Sequence, residues 1–497
     1  MRNSFTTKTS WLWNNAEKIL IFLFFATFSF NLRKVFPTFL SYFHGEFNEY
    51  MTPSLSWSDV LILSVIIIYI IKYIFSQEAK PEKALHYVNN NNGTLSSNTN
   101  CITVLLHRIT GSFKIMIFSA RSETFFLKLF MIWMAISIFW APLQLIAAYR
   151  LLIILLIVNF SIIIRNQAKK GYIKAEFIYL GLFMGGIIQS LIGILQFILN
   201  RSLGFKFFGE SLLGPDIPGV AKIVVSGMKH IRAYGTFPHP NILAGFLVLQ
   251  IILLISVLVK RQIQNKRGDK NVPHETILSK IPTWLFISVL VINLSSFFLT
   301  FSRSAFLSIF LAGLALLIVN IRLIRNRILL IFTTFIILLL LGYILASLNL
   351  NYSLYSTQSL EERVLFLNVS RETISEHPWL GVGLGQFIYQ EIISQPSWAG
   401  WQYQPVHNIY LLITSELGMT GLMFFLLYLL TLLYNCCFMR IKSVLLTNYP
   451  YCIIILCYLF ISFFDHYFWD IKPGIIIFAI PFILSQISFP YGEKNEA

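Results

Sequence analysis

Three short stretches of the sequence combine cationic, imidazole and amide side chains in patterns suited to phosphate and hydroxyl chemistry. The first contains Arg232 and, seven residues later, His239-Pro240-Asn241. Pro240 suits the first turn of a helix, whose unpaired N–H groups attract anions. Arg232 adds a planar, permanently charged fork that matches phosphate oxygens. The pattern predicts an anion site, although an ordinary helix start with an Arg reaching toward the lipid headgroups has the same residues.

The second stretch places an arginine between two apolar runs with almost no loop around it. Its residues are Thr300-Phe-Ser302-Arg303-Ser304. A charged side chain near hydrocarbon is costly unless it has a partner, and no acidic residue lies beside Arg303 in sequence. The partner is either a distant carboxylate, such as Asp465 or Asp470, or an anionic ligand.

The third stretch contains His407-Asn408 at the start of a long apolar run that also includes Glu416. Histidine can take a proton from a hydroxyl near neutral pH, because its ordinary pKa is about 6.5. A structural histidine at a membrane interface is the competing interpretation. Glu416 lies about 180° around a continuous helix from His407, so we interpret it as structural rather than as an orienting partner.

Metal and cofactor motifs are missing from the sequence. It contains no H-E-x-x-H and no D-x-D, and its five cysteines include no C-x-x-C pair. The glycines at 381, 383 and 385 follow His377-Pro378-Trp379 without a preceding strand, so they predict a tight turn rather than a dinucleotide loop. The sequence therefore predicts no metal site and no cofactor.

The composition indicates that lipid is the solvent for most of the elements that carry these motifs. The chain has 497 residues, of which 56% are hydrophobic and 12% charged, and its mean hydropathy is +0.70. A soluble protein of average composition has roughly 25% charged residues, so a soluble enzyme is excluded. We expect an all-α, polytopic membrane protein without a nucleic-acid partner.

At about 20 residues per span, the apolar runs predict about twelve transmembrane helices. They lie near 19–37, 57–76, 123–141, 143–164, 175–199, 239–259, 282–301, 303–321, 328–347, 407–434, 449–470 and 473–489. Alternate connections and both termini hold most of the 38 Lys and Arg residues, which predicts that they are cytoplasmic. The long loops 200–238 and 348–406 then face outside.

The predicted organisation has three regions. Residues 1–199 hold helices 1–5 and an Asn/Ser/Thr-rich, disordered cytoplasmic connection near 77–122. Residues 200–434 hold both exterior loops and all three motifs, and residues 435–497 hold helices 11 and 12. In the second loop, Ser359 and Glu362 form a capping box, and Leu360, Val364, Leu367 and Ile374 recur at helical spacing before Pro378. This pattern predicts an amphipathic helix lying over the membrane face.

In this order, the motifs resemble the bacterial O-antigen ligase and polymerase superfamily of membrane glycosyltransferases. The shared set is R-x-x-G-x-x-x-x-P-N, then S-R in a helical hairpin, then R-x-x-x-F with H-P-W-L-G-V-G-L-G, and finally H-N-x-Y-L with E-L-G-x-x-G. The resemblance covers roughly residues 232–421, while the first five predicted helices resemble the family only in hydropathy. It implies a GT-C-like fold in the bacterial cytoplasmic (inner) membrane, with the active site facing outside.

The resemblance also implies a reaction and a set of site residues. The reaction takes a glycan from a polyprenyl (undecaprenyl) diphosphate carrier and transfers it to an acceptor hydroxyl or amide. By motif position, Arg232 and Arg303 bind the diphosphate and His407 is catalytic. Supporting positions are His239, Asn241, Arg363 and Asn408.

The chemistry of the residues agrees with this reaction. A diphosphate is a good leaving group that needs cations and a base for the acceptor hydroxyl, so two arginines and a histidine can replace a metal. A single displacement inverts the anomeric configuration. Three acceptors are compatible with this chemistry: lipid A core, a growing polysaccharide and protein. Two other classes remain: a transporter or flippase for lipid-linked glycans, favoured by Lys128 and Arg150 within predicted spans, and a membrane scaffold, which leaves Arg303 unexplained.

Overall fold

The computed structural model describes residues 2–43, 45–78, 122–225, 227–267, 277–320, 357–437 and 449–487. About 70% of the described residues are helical. The described residues form fifteen α-helices: α1 Arg2–Thr27, α2 Trp57–Glu78, α3 Ser122–Ser137, α4 Gln144–Lys169, α5 Ala175–Leu199, α6 Pro240–Arg267, α7 Ile277–Lys280, α8 Thr283–Leu299, α9 Arg303–Asn320, α10 Thr357–Glu376, α11 Phe387–Ser394, α12 Ile409–Cys437, α13 Tyr449–Ile461, α14 Tyr467–Asp470 and α15 Lys472–Ile487. The predicted helical character is confirmed.

Within the described ranges, strand is confined to three antiparallel pairs, which the all-α prediction did not include. The strands are β1 Arg33–Val35, β2 Tyr42–Phe43, β3 Glu46–Phe47, β4 Ser54–Ser56, β5 Lys222–Val225 and β6 Met228–Ile231. β1 pairs with β4, β2 with β3, and β5 with β6. The first two pairs fold the connection between α1 and α2, and the third folds part of loop 200–238.

The core is organised around α6, whose residues 240–259 are apolar on all sides and mostly buried. A helix without a polar face must be surrounded by other elements or by lipid. Here α6 contacts α5, α8, α9, α13 and α15. Its first residues, Pro240 and Asn241, are those of the first sequence motif, so the central helix carries this motif at one end of the bundle.

The chain is a multi-pass membrane protein by the length and hydropathy of its helices. Four described helices are long and apolar enough to cross a membrane: Gln144–Lys169, Ala175–Leu199, Pro240–Gln262 and Ile409–Tyr434. Shorter apolar helices lie at Phe125–Ser137, Thr283–Leu299, Arg303–Gly313, Tyr449–Ile461 and Lys472–Ile487. The predicted helix 328–347 and residues 79–121 of the predicted disordered connection lie outside the described residues, so the total of twelve remains a prediction.

The prediction was wrong at the first and eleventh helices. α1 ends at Thr27 rather than at residue 37. Arg33 instead pairs with Ser56, so the backbone beyond α1 bonds to a distant strand rather than to its own helix. α13 ends at Ile461 rather than at residue 470. The residues that the prediction had assigned to the ends of these two helices belong instead to the α1–α2 connection, the α13–α14 connection and α14. Both connections contribute residues to the candidate site.

The predicted surface helix exists as α10 and ends before Pro378, as its sequence indicates. Ser359 and Glu362 both lie within this helix, and the capping box between them remains a prediction. Val364 and Leu367 are exposed on this helix, whereas Phe366 and Val369 are buried with residues of α11 and α12. The location of α10 over the membrane face remains a prediction.

The glycine-rich stretch after α10 forms a tight turn, as predicted. The structure shows in addition that this turn docks on α12. The Val382 and Gly383 N–H groups donate to the Ser415 and Glu416 carbonyls at 3.0 and 2.7 Å. A Cβ on Gly418 would lie 2.1 Å from the Trp379 carbonyl oxygen, and the φ of Gly418 is +70°. A larger residue could not occupy this kink of α12, which begins next to the candidate site.

Candidate active site

A cavity of about 400 Å³ lies where the starts of α6 and α12 meet the α13–α14 connection. This volume is within the range of small-molecule sites. Its lining residues are Phe47, Asn48, Glu49, Tyr50, Gly219, Pro238, His239, Ile242, Tyr403, Gln404, His407, Asp465, His466, Tyr467 and Ile471. The lining combines three histidines with carboxylates, amides and aromatic rings.

A continuous chain of polar contacts joins the first motif to the third. Nδ1 of His407 lies 3.7 Å from Oδ1 of Asp465, a charge contact rather than a hydrogen bond. Oδ2 of Asp465 accepts a hydrogen bond of 2.7 Å from Nδ2 of Asn241. Oδ1 of Asn241 accepts one of 2.7 Å from Nη2 of Arg232. The arginine and the imidazole are thus coupled through one carboxylate and one amide.

A second histidine–carboxylate pair lies beside the first. Nδ1 of His466 is 2.8 Å from Oδ2 of Asp470. The His407 and His466 rings are 4.9 Å apart between centroids. Arg150 donates to the Asp470 backbone carbonyl, so its charge faces the end of α14. Two imidazoles with different carboxylate partners therefore line one cavity.

The surroundings of the two imidazoles shift their pKa values in opposite directions. Burial lowers the pKa of His407 below 6.5, and Asp465 only partly opposes this effect. Burial also lowers the pKa of His466, but the Asp470 carboxylate outweighs it and raises that pKa. His407 is therefore neutral and able to accept a proton at neutral pH.

The pKa values of two further groups in this cavity, His239 and Asp465, are also shifted. Burial and the Arg232 charge lower the pKa of His239 to about 3, so this ring is neutral. Burial raises the pKa of Asp465, but its contact with His407 outweighs burial and holds that pKa well below its ordinary value. Asp465 is consequently an anion within this cluster.

The structure brings four predicted site residues together: Arg232, His239, Asn241 and His407. Arg363 lies close enough to His407 for its charge to lower the imidazole pKa. Asn408 caps α12, because its Oδ1 accepts the Leu411 N–H at 3.1 Å.

Arg303 is exposed at the first residue of α9. It is three residues from Thr300, whose carbonyl accepts a hydrogen bond of 2.6 Å from Nε of Arg232. The side chain of Arg232 therefore binds the backbone of the turn that directly precedes Arg303, the other arginine predicted to bind diphosphate.

The expected unpaired N–H groups at the start of α6 are not there. The Asn241 N–H donates to Nδ1 of His239 at 3.2 Å. The Ile242 N–H donates to the His239 carbonyl at 3.1 Å. Because Pro240 has no N–H, the donors of this first turn are already used, and the helix-end contribution to an anion site was predicted wrongly.

The structural role of Glu416 remains a prediction. Its Oε2 accepts a hydrogen bond of 3.0 Å from Nε1 of Trp469, and its side chain is buried.

Asp465, His466 and Asp470 were not predicted as site residues. A signal was nevertheless present, because these titratable residues cluster between two apolar runs, at the same predicted end of the bundle as His407. The α1–α2 connection, which supplies Phe47 to Tyr50 to the cavity, was missed as well.

One group of side chains has the spacing of a metal site among the described residues. His407, Asp465 and His466 each offer a ligand atom, and these atoms lie within 4.8 Å of one another. The absence of a metal requirement, predicted from sequence, remains a prediction that a chelator can test.

Part of the chain matches a known protein family. Residues 288–426 match the family model described as O-antigen ligase. The match runs from within α8 to within α12 and includes Arg303, Arg363 and His407. It confirms the resemblance to O-antigen ligases and polymerases for the motifs from Arg303 onward, whereas the first motif, at 232–241, lies outside the matched residues. No curated protein matches the chain.

Proposed function

We propose, from the premise that this multi-pass membrane protein carries an O-antigen ligase domain, that it is a polyprenyl-diphosphate-dependent glycosyltransferase. It transfers a glycan to an acceptor hydroxyl or amide on the exterior face of the bacterial cytoplasmic membrane. The donor is a lipid-linked oligosaccharide, and the acceptor is a lipid, a growing polysaccharide or a protein.

The observation that carries this proposal is the contact chain from Arg232 through Asn241 and Asp465 to His407. Sugar transfer needs a cation at the leaving phosphate and a base at the attacking hydroxyl, held at a fixed separation. Neither group alone indicates this reaction. Their connection through two hydrogen bonds and one charge contact supports a site in which leaving group and nucleophile are handled together.

The proposed step is a single displacement at the anomeric carbon. The acceptor oxygen forms a bond to this carbon while the bond from the carbon to the diphosphate oxygen breaks. The acceptor proton passes to neutral His407, and Asp465 stabilises the imidazolium that forms. Arg232 and Arg303 stabilise the departing diphosphate anion. The displacement inverts the anomeric configuration and uses no metal.

Among the described residues, Arg150 no longer favours the transporter alternative. Arg150, which suggested a polar route through the bundle, donates to the backbone carbonyl of Asp470 beside the candidate site. The charge inside the predicted span is therefore accounted for by a structural contact. A transporter that uses alternating access would instead need polar groups along a route open to both faces.

The proposed function is tested with the purified chain in detergent, a lipid-linked oligosaccharide as donor and an acceptor fraction extracted from the parent cells. We expect polyprenyl diphosphate to be released in equal amounts with the glycosylated acceptor. In proteoliposomes, a transporter would move the intact lipid-linked glycan across the bilayer and release no diphosphate. Movement without release would contradict the proposal.

A further inference from the structure

Part of the cavity lining comes from a segment that the proposed reaction has not used. Phe47, Asn48, Glu49 and Tyr50 of the α1–α2 connection line the cavity that contains His407. The Tyr50 ring packs edge-on against His466, with 5.9 Å between centroids. The segment therefore borders directly on the groups proposed for catalysis.

This segment is held firmly by the loop that precedes α12. Nδ2 of the buried Asn48 donates to the carbonyls of Gly400 and Tyr403 at 2.9 and 3.0 Å. The Phe43 and Tyr403 rings contact edge to face, with 6.0 Å between centroids. Because side chains on a fixed backbone can be placed to recognise a ligand, the segment is suited to a binding role.

Two side chains of the segment offer different groups to the cavity, an aromatic ring and a carboxylate. Phe47 is 40% exposed, so its ring has apolar surface available to a ligand. Oε2 of Glu49 accepts a hydrogen bond of 2.5 Å from Nη2 of Arg33, which orients the carboxylate. Gln404 adds an amide to the same cavity. A saccharide has apolar C–H faces and hydroxyl donors, so an aromatic ring next to a carboxylate and an amide matches its chemistry.

We infer that Phe47, Glu49 and Gln404 form a subsite for a saccharide of the acceptor. The inference rests on the proposed function, because it takes His407 as the base that contacts the acceptor hydroxyl. Arg232 and Arg303, proposed for the donor diphosphate, are not among the described residues that line this cavity. The sugar that lies between the base and this segment therefore belongs to the acceptor, and the donor diphosphate binds beyond Asn241.

Steady-state kinetics with separate variation of donor and acceptor test the inference. We expect Phe47→Ala and Glu49→Gln each to raise the half-saturating acceptor concentration about tenfold, the loss expected for one aromatic or charge-assisted contact. The turnover number at saturation and the half-saturating donor concentration should change less than about twofold, because neither side chain is proposed to contact the reacting atoms. An unchanged acceptor dependence, or an equal rise for the donor, would overturn the assignment.

Two matched variants separate recognition from packing. Phe39 belongs to the same connection, is 86% exposed and lies outside the cavity lining, so Phe39→Ala should behave as the wild type. Arg33→Gln breaks the Arg33–Glu49 ion pair but keeps the carboxylate, so it should raise the half-saturating acceptor concentration less than Glu49→Gln does. Equal effects of Arg33→Gln and Glu49→Gln would assign the effect to the ion pair and contradict a direct contact.

A binding measurement distinguishes failure of the subsite from failure of the proposed function. Saturation-transfer NMR would use the detergent-solubilised protein and a panel of methyl glycosides of glucose, galactose, mannose and N-acetylglucosamine. We expect transfer to the sugar C–H protons with wild type and Phe39→Ala, and its loss with Phe47→Ala. Transfer without any enzymatic turnover would refute the proposed function but keep the subsite, whereas no transfer from any glycoside would refute the subsite itself.

Discussion

His407 and Asp465 are 58 positions apart in the sequence, yet Nδ1 of the imidazole lies 3.7 Å from Oδ1 of the carboxylate. The second carboxylate oxygen is held by Asn241, so Asp465 cannot turn away without breaking a hydrogen bond. A buried carboxylate in this position favours the imidazolium that forms when the base accepts a proton. We therefore assign Asp465 as a positioning residue for His407.

The first prediction is that Asp465→Asn lowers the transfer rate about 10²- to 10⁴-fold, the range associated with an impaired general base. The pH dependence should change as well. Asp465 raises the pKa of His407 against the effect of burial, so its removal lowers that pKa. The acidic limb of kcat/KM should consequently move to lower pH, which rate measurements from pH 4.5 to 8 would detect.

Asp216→Asn is the matched control, because Asp216 is an exposed carboxylate whose contact with Lys229 is 3.9 Å long. It should leave both rate and pH profile unchanged. A rate loss in Asp465→Asn with an unshifted acidic limb would contradict the positioning role.

Local motifs were predicted from sequence, whereas contacts made by packing were not. Arg232 and Asn241 belong to one short stretch, and its residue types alone predicted an anion site there. Asp465 reaches Asn241 only because α13 packs against α6, which periodicity does not reveal. The end of α1 was missed for the same reason, since the pairing of Arg33 with Ser56 depends on a strand 21 residues later.

Arg303→Lys should fail almost as badly as Arg303→Ala. The guanidinium can bind a diphosphate through two parallel hydrogen bonds, whereas an ammonium is a point charge. We expect both variants to lose about 10²- to 10³-fold in transfer rate. Arg371→Lys, at an exposed position of α10, is the control. Near-normal turnover of Arg303→Lys, in protein shown to be inserted and folded, would remove the diphosphate role.

Loops 200–238 and 348–406 should be accessible from outside the cell. In a background without the five native cysteines, single cysteines replacing exposed Asp216 and Ser397 should react with a membrane-impermeant thiol reagent. Lys170→Cys, in a connection predicted to be cytoplasmic, should react only after the membrane is opened. The opposite pattern in cells without an outer-membrane barrier would reverse the topology.

Glu391 should make the stability of the protein depend on pH. Its side chain is buried in α11, and burial raises its pKa well above 4.5. The folded state therefore retains a proton that the unfolded state releases, and stability falls as pH rises above about 4.5. Glu391→Gln keeps the shape without the titration and should be more stable at pH 8 by about 1 to 3 kcal/mol. Thermal unfolding in detergent measures this, with exposed Glu376→Gln as control; equal pH dependence in the wild type and Glu391→Gln would refute it.

The central claim is that His407 is the base, and the comparison of transfer with donor binding in His407→Ala tests it most directly. Released polyprenyl diphosphate and bound lipid-linked donor are measured on the same purified protein, with and without EDTA. We predict a loss in transfer of about 10²- to 10⁴-fold, donor affinity within about threefold of wild type because the arginines remain, and wild-type activity that persists in EDTA. Full transfer activity of His407→Ala, or wild-type activity abolished by EDTA and restored by a divalent cation, would contradict the account.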